Sequence, residues 1–182
     1  MKKTITLLLI FTSSILFSQV PNYVPSNGLI GWWPFTGNAN DESGNGNNGT
    51  VTGAILTSDR NGGLNSAYSF DGNSDNVVIN NSNRLNPSQL SISVWYLAVG
   101  NDMCVVSKNN PSDAFKFSYN IKHQDIFQSN LGLNVGWGVS NCITANEFWG
   151  SNGQIATNQW VNIILTIDSF GVGKVYYNSN LI

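Results

Sequence analysis

Few side chains in this 182-residue chain are placed to do covalent chemistry. Glu42 and Glu147 are its only glutamates and stand far apart, neither within a Glu-x-Asp-x-x-Glu strand, and the aspartates fall mostly in turn-forming stretches. Glycoside hydrolysis needs two carboxyls about 5–9 Å apart across the scissile bond. His123, the one histidine, lies in Lys122-His123-Gln124 and has no Ser or Cys in a nucleophile motif to activate, so no triad can be assembled. No catalytic apparatus is readable. What remains is recognition chemistry. Trp149, in Asn146-Glu147-Phe148-Trp149-Gly150, sits in a loop-like stretch, and an exposed indole stacks on the flat apolar face of a sugar ring. Asn134, Gly136, Gly138 and Ser140 form the small polar side of an alternating segment, fit to floor a shallow glycan groove or to lie beneath a loop.

Those residues must be carried by strands. Leu90, Ile92, Val94 and Tyr96 alternate with Ser91, Ser93, Trp95 and Leu97, which predicts a strand buried on both faces. Phe115 to Lys122 alternates with one wet face, Leu131 to Ser140 alternates with Gly and Asn, and Trp160 to Asp168 carries Val161, Ile163, Leu165 and Ile167 in phase. Shorter strands are expected at Leu29–Phe35, Thr50–Leu56, Ala67–Phe70, Asn76–Ile79, Met103–Ser107 and Lys174–Tyr177. Gly/Asn turns separate them and no helical spacing intervenes, so the class is all-β, an antiparallel sandwich or jelly roll in one domain. Asn178-Ser179-Asn180 reads as a hairpin turn, after which Leu181-Ile182 begins a returning strand too short to pair usefully, so the natural protein is expected to continue with further strands.

Lys2 and Lys3 precede a mostly apolar run, Ile5 to Phe17, and the small residue Ser18, the layout of a secretory signal peptide cleaved after Ser18. About 13 apolar residues are too few to cross a bilayer, and no second apolar run follows, so the mature chain is expected to be exported without a transmembrane segment. Removing residues 1–18 leaves 164 residues carrying 6 basic and 10 acidic side chains, a balance that argues against a phosphate-binding nucleic-acid surface. The chain holds 28 Asn and 18 Gly, so its surface is kept wet by amides, as suits a neutral polar ligand and equally an Asn-rich loop style. Cys104 and Cys142 are the only cysteines, and in an oxidising compartment such a pair is expected as a disulfide closing a 39-residue loop. Its loop-entropy contribution is roughly 3–4 kcal/mol.

Four segments in order carry a family resemblance. Gly28-Leu29-Ile30-Gly31-Trp32-Trp33-Pro34-Phe35 leads into Asn38 to Thr50, where Asp41-Glu42-Ser43-Gly44-Asn45-Gly46-Asn47-Asn48-Gly49-Thr50 fits an Asp-x-Ser-Gly-Asn-x-x-x-Gly-Thr motif. Ala67 to Ile79 contains Phe70-Asp71-Gly72, then Asp75 and Val77; Leu90 to Tyr96 is followed by Val105-Val106-Ser107-Lys108; Trp160 to Asp168 precedes Lys174 to Ile182. Together these resemble the LamG-like group of concanavalin A-type jelly rolls over nearly all of the mature chain, residues 19–182, breaking at Phe127 to Gly153 and at the end, where the family's closing strands are missing. The resemblance implies two curved antiparallel sheets face to face, an open edge near Leu29–Phe35, and a secreted or cell-surface module that binds carbohydrate or a protein partner in adhesion. Related jelly rolls include glycoside hydrolases, but their carboxylate pair is not found here.

The family often holds one Ca²⁺ near its opening motif, which implies Asp41, Asn45, Asn48, Asp71 and Asp75 as oxygen donors, with Asp41 foremost. Calcium takes six to eight hard oxygens, many of them turn carbonyls. Asp and Asn are also turn formers in their own right. By the same resemblance Trp33, Trp95 and Trp160 fall on core positions, whereas Trp32, Trp137 and Trp149 do not and are the candidate sugar-stacking indoles. Trp137 also alternates with Leu133, Val135 and Val139, which draws it toward the core.

Overall fold

A computed structural model describes residues 20–99, 103–110, 113–126, 130–137, 146–149 and 156–182, and in part of the stretch from 109 to 149 it describes the backbone alone. Residues 1–18, expected from the sequence as a signal peptide, and Cys142 lie outside the described residues. Among the described residues all regular structure is β except a 3₁₀ turn at Asn83–Leu85, and no described helix is long and apolar enough to cross a membrane. The chain divides into two compact units, Met1–Asn80 and Asn81–Ile182.

The first unit contains β1 (Gly49–Thr52), β2 (Ile55–Thr57), β3 (Ala67–Ser69) and β4 (Asn76–Ile79), joined as two antiparallel pairs, β1 with β4 and β2 with β3. The strand expected over Thr50–Leu56 is interrupted at Gly53, whose φ of 75° suits a residue without Cβ. A Cβ there would also run into the Asp75 carboxylate. The strand expected at Leu29–Phe35 does not form. Phe35 itself takes a left-handed φ of 58°, and its ring meets Tyr68 edge-on with centroids 5.2 Å apart.

The second unit contains β5 (Leu90–Leu97), β6 (Met103–Asn110), β7 (Asp113–Ile126), β8 (Asn130–Trp137), β9 (Asn146–Trp149), β10 (Trp160–Ile167), β11 (Gly173–Tyr177) and β12 (Asn180–Leu181). They form two antiparallel four-stranded sheets, β12-β11-β10-β5 and β6-β7-β8-β9. One apolar core serves both. Tyr96 from β5, Val161, Ile163, Leu165 and Ile167 from β10 and Val175 from β11 gather with Ile121 from β7, with Met103, Val105 and Val106 from β6 against them. Ile121, Val161, Ile163 and Leu165 are wholly buried, each worth about 1.5–3 kcal/mol relative to exposure. Two sheets sharing a core are consistent with a β-sandwich.

A bulge between Cys104 and Val106 leaves Val105 without a partner on β7, and so Val105 and Val106, adjacent in sequence, both pack against the core. The β10–β11 hairpin is closed by Asp168, whose Oδ1 accepts the Phe170 and Val172 N–H groups at 2.9 Å each. Phe170 stands at its tip, 90% exposed. The β11–β12 turn has left-handed φ at Asn178 (45°) and Ser179 (71°), the type I′ pattern whose twist matches a two-residue hairpin.

Candidate functional site

In the first unit, Asp41 organises the loop that the sequence marks as an opening motif. Its Oδ1 accepts the backbone N–H groups of Trp32 and Ser43, both at 2.9 Å, and its Oδ2 accepts that of Asn47 at 2.9 Å. Asn48 Oδ1 accepts the Asp41 N–H at 2.9 Å. The Asn45 side-chain amide donates to the Leu29 carbonyl at 2.8 Å and the Asn47 amide to that of Ile30 at 2.8 Å. Trp33 Nε1 donates to the Asn47 carbonyl at 2.8 Å. Side chains thus do for residues 29–33 what a neighbouring strand would otherwise do, which is why this apolar run stays irregular. Burial raises the Asp41 carboxyl, but the Ser43 hydroxyl and the three backbone donors outweigh it and hold the group below the usual carboxylate range.

Asp71 and Asp75 form a separate turn. Asp71 Oδ1 accepts the N–H groups of Asn73, Ser74 and Asp75, and Asp75 Oδ2 accepts that of Asp71 at 2.9 Å. Hydrogen bonds from Asn73 and Asp75 lower the Asp71 carboxyl. Among the described residues no three His, Cys, Asp or Glu side chains converge, so Asp41 does not join this pair. Of the five oxygen donors, Asp41 uses both carboxylate oxygens on backbone N–H groups and Asn48 Oδ1 is likewise engaged, so these two fasten the opening loop; Asp71 and Asp75 fasten the second turn. Cys104 is a free thiol.

Trp149 lies in β9 rather than in a loop, paired to β8 with Asn134 opposite Trp149 and Trp137 opposite Asn146. Asn134 and Trp149 therefore share a face by register, while Trp137 falls on the alternate one with Val135; the description there is of the backbone. Trp32 is half-buried, its backbone N–H and carbonyl engaged by Asp41 and Glu42. Trp33 and Trp160 are also half-buried.

Trp95 departs from the core reading. With Leu90, Ile92, Val94 and Tyr96 turned toward the core, the alternate side chains of β5 face away from it, and Ser91, Ser93 and Trp95 are exposed, Trp95 by 44%. Among the described residues of this unit, the core covers one face of β5. The strand register builds this outer face in rows: Trp95 opposite Asn162, Ser93 opposite Ile164 and then Tyr176, Ser91 opposite Thr166 and then Lys174. Asn162 is buried within it; its side-chain amide donates to Ser93 Oγ at 3.2 Å and to the Val94 carbonyl at 3.1 Å. Its backbone N–H donates to Asn178 Oδ1 at 2.8 Å. These bonds tie β5 to β10 and to the turn beyond β11, fixing the floor beside the indole. The strands contribute no Asp or Glu to this face. An aromatic platform flanked by hydroxyls, on a sheet braced from beneath, can stack a sugar ring and hydrogen-bond its rim.

No protein-family model matches this chain. Nor does any curated protein or solved structure.

Proposed function

We propose that this chain is an exported, non-catalytic carbohydrate-binding module, a jelly-roll β-sandwich of LamG-like type acting outside the cell or on its surface. The observation that carries the reading is Trp95, an indole left 44% exposed on a sheet face it shares with Ser91, Ser93 and Thr166, where an aromatic is otherwise costly to leave in water. The strands of this face carry no Asp or Glu to supply the carboxylate pair that glycosidic cleavage requires, which supports a binding role. The test is a glycan array with the chain from Gln19 onward, beside Trp95→Ala and Trp149→Ala. Selective binding lost in Trp95→Ala and kept in Trp149→Ala supports this face. Loss only in Trp149→Ala moves the site to the β8–β9 sheet.

A second reading, protein adhesion, is favoured by one feature, Phe170 at the tip of the Asp168-closed hairpin. A rigid turn that presents a bare aromatic has already met the ordering cost of an interface anchor. A folded protein that binds no glycan favours this alternative.

A further inference from the structure

We infer that the glycan is a linear, sparsely acidic chain, one of whose uronic-acid carboxylates is recognised by Lys174. This deepens the reading of the Trp95 face and rests on it. Lys174 is exposed on β11, opposite Thr166 and one row beyond Tyr176. Arg60, Arg84, Lys108 and Lys122 each have a partner, whereas Lys174 has no hydrogen bond or ion pair among the described residues. It is also the one charged side chain that the strands bring to this face. The nearest carboxylate along β10, Asp168, begins the hairpin turn, and its Oδ1 is held there by the Phe170 and Val172 N–H groups.

Register places the two anchors in line. Trp95 is level with Asn162, Ile164 lies one strand across and two residues on, and Lys174 lies a further strand across and two residues on, beside Thr166. From Trp95 to Lys174 that is about 13 Å along the strands and about 10 Å across them, about 16 Å on the diagonal, the length of about three or four pyranose units. The line runs over apolar Ile164 with the Ser93 and Thr166 hydroxyls on one side and Tyr176 on the other. A straight chain stacked on Trp95 thus brings a later sugar to the ammonium.

Charge balance sets how acidic that chain can be. A single cation neutralises a single carboxylate, and the chain from Gln19 onward carries 6 basic against 10 acidic side chains, a net negative charge that repels a densely anionic polymer. A glycan with uronic acids separated by neutral sugars matches; a heavily sulfated one does not.

Calorimetric titration of the chain from Gln19 onward, at low and at physiological salt, tests this with three probes. They are a hyaluronan hexasaccharide, in which uronic acid alternates with a neutral sugar, neutral cellohexaose, and a heparin hexasaccharide. The expected result is hyaluronan-type affinity about tenfold above that for cellohexaose, reduced to the neutral level in Lys174→Gln and weakened by salt, with heparin no better than the neutral probe. Trp95→Ala weakens binding of both hyaluronan and cellohexaose. Equal affinities for the acidic and neutral probes, or an acidic preference that survives Lys174→Gln, overturn the inference while the Trp95 dependence keeps the carbohydrate reading intact. Heparin as the tightest ligand overturns the sparse-charge argument. Binding that ignores Trp95→Ala, or none to any probe by folded protein, overturns both.

Discussion

Replacing Asp41 by Asn tests whether one carboxylate holds the opening loop together. The amide oxygen can keep the Trp32 and Ser43 N–H groups, but the new NH₂ faces the Asn47 N–H, which now meets a donor instead of Oδ2 at 2.9 Å. One charge-assisted bond is lost, worth about 1.5–3 kcal/mol, and the two that remain lose their charge assistance, so the cost is about 2–4 kcal/mol. For a chain of this size that is a fall in Tm of about 5–15 °C. Thermal unfolding followed by Trp fluorescence reads it directly, since Trp32 and Trp33 lie within the loop. The carboxyl is depressed in the folded state, so its stabilisation is complete above its unfolded pKa of about 3.9 and is lost as pH falls toward the lower folded value. The gap between the parent and Asp41→Asn must therefore be full at pH 7 and close under acid. A loss below about 1 kcal/mol at pH 7, or a gap that ignores acidification, would refute the role given to Asp41.

Three further outcomes follow from the same geometry. Gly53→Ala costs about 2 kcal/mol by urea denaturation, because its φ of 75° is strained for alanine and the new Cβ displaces Asp75 from the Asp71 N–H; an unchanged midpoint sinks this account. Ser179→Gly raises stability by about 0.5–1 kcal/mol, since Ser179 holds a φ of 71° in the β11–β12 turn, and a midpoint that falls shows that another interaction of Ser179 dominates. Chelator leaves Tm unchanged, because the oxygens of Asp41 and Asn48 fasten backbone rather than metal; a drop reversed by added Ca²⁺ would restore the calcium reading.

Where alternation is regular, sequence and structure agree. Asn76–Ile79 and Leu90–Leu97 are strands over those bounds, and Trp160–Asp168 loses only its last residue to the turn. Local period two carries strand identity but not which side a partner sheet will cover. The resemblance, together with a strand apolar on both faces, puts Trp95 in the core, whereas the covered face is set by residues some 70 positions away in β10. Leu29–Phe35 misleads for the opposite reason: it has strand composition, yet its polar backbone is satisfied by the side chains of Asp41, Asn45 and Asn47. β9 was hidden because Asn146–Trp149 is too short for alternation to register. Lys174 carries no local signal at all; only the β10–β11 register sets it on the diagonal from Trp95.

The amide-knotted loop also orders events in time. Its hydrogen bonds join residues 2 to 17 positions apart, so closure requires little chain and can be complete while the rest is still being made. β5 has no such option. Its partner β10 follows by about 70 residues, as the Asn162–Ser93 bond shows, and until then a β-prone strand bearing an indole waits with both faces bare. Synthesis from the N-terminus therefore separates an early, self-sufficient lock from a late sheet closure. The interval between them is when β5 is most open to wrong pairing, and any mutation that delays β10 lengthens it.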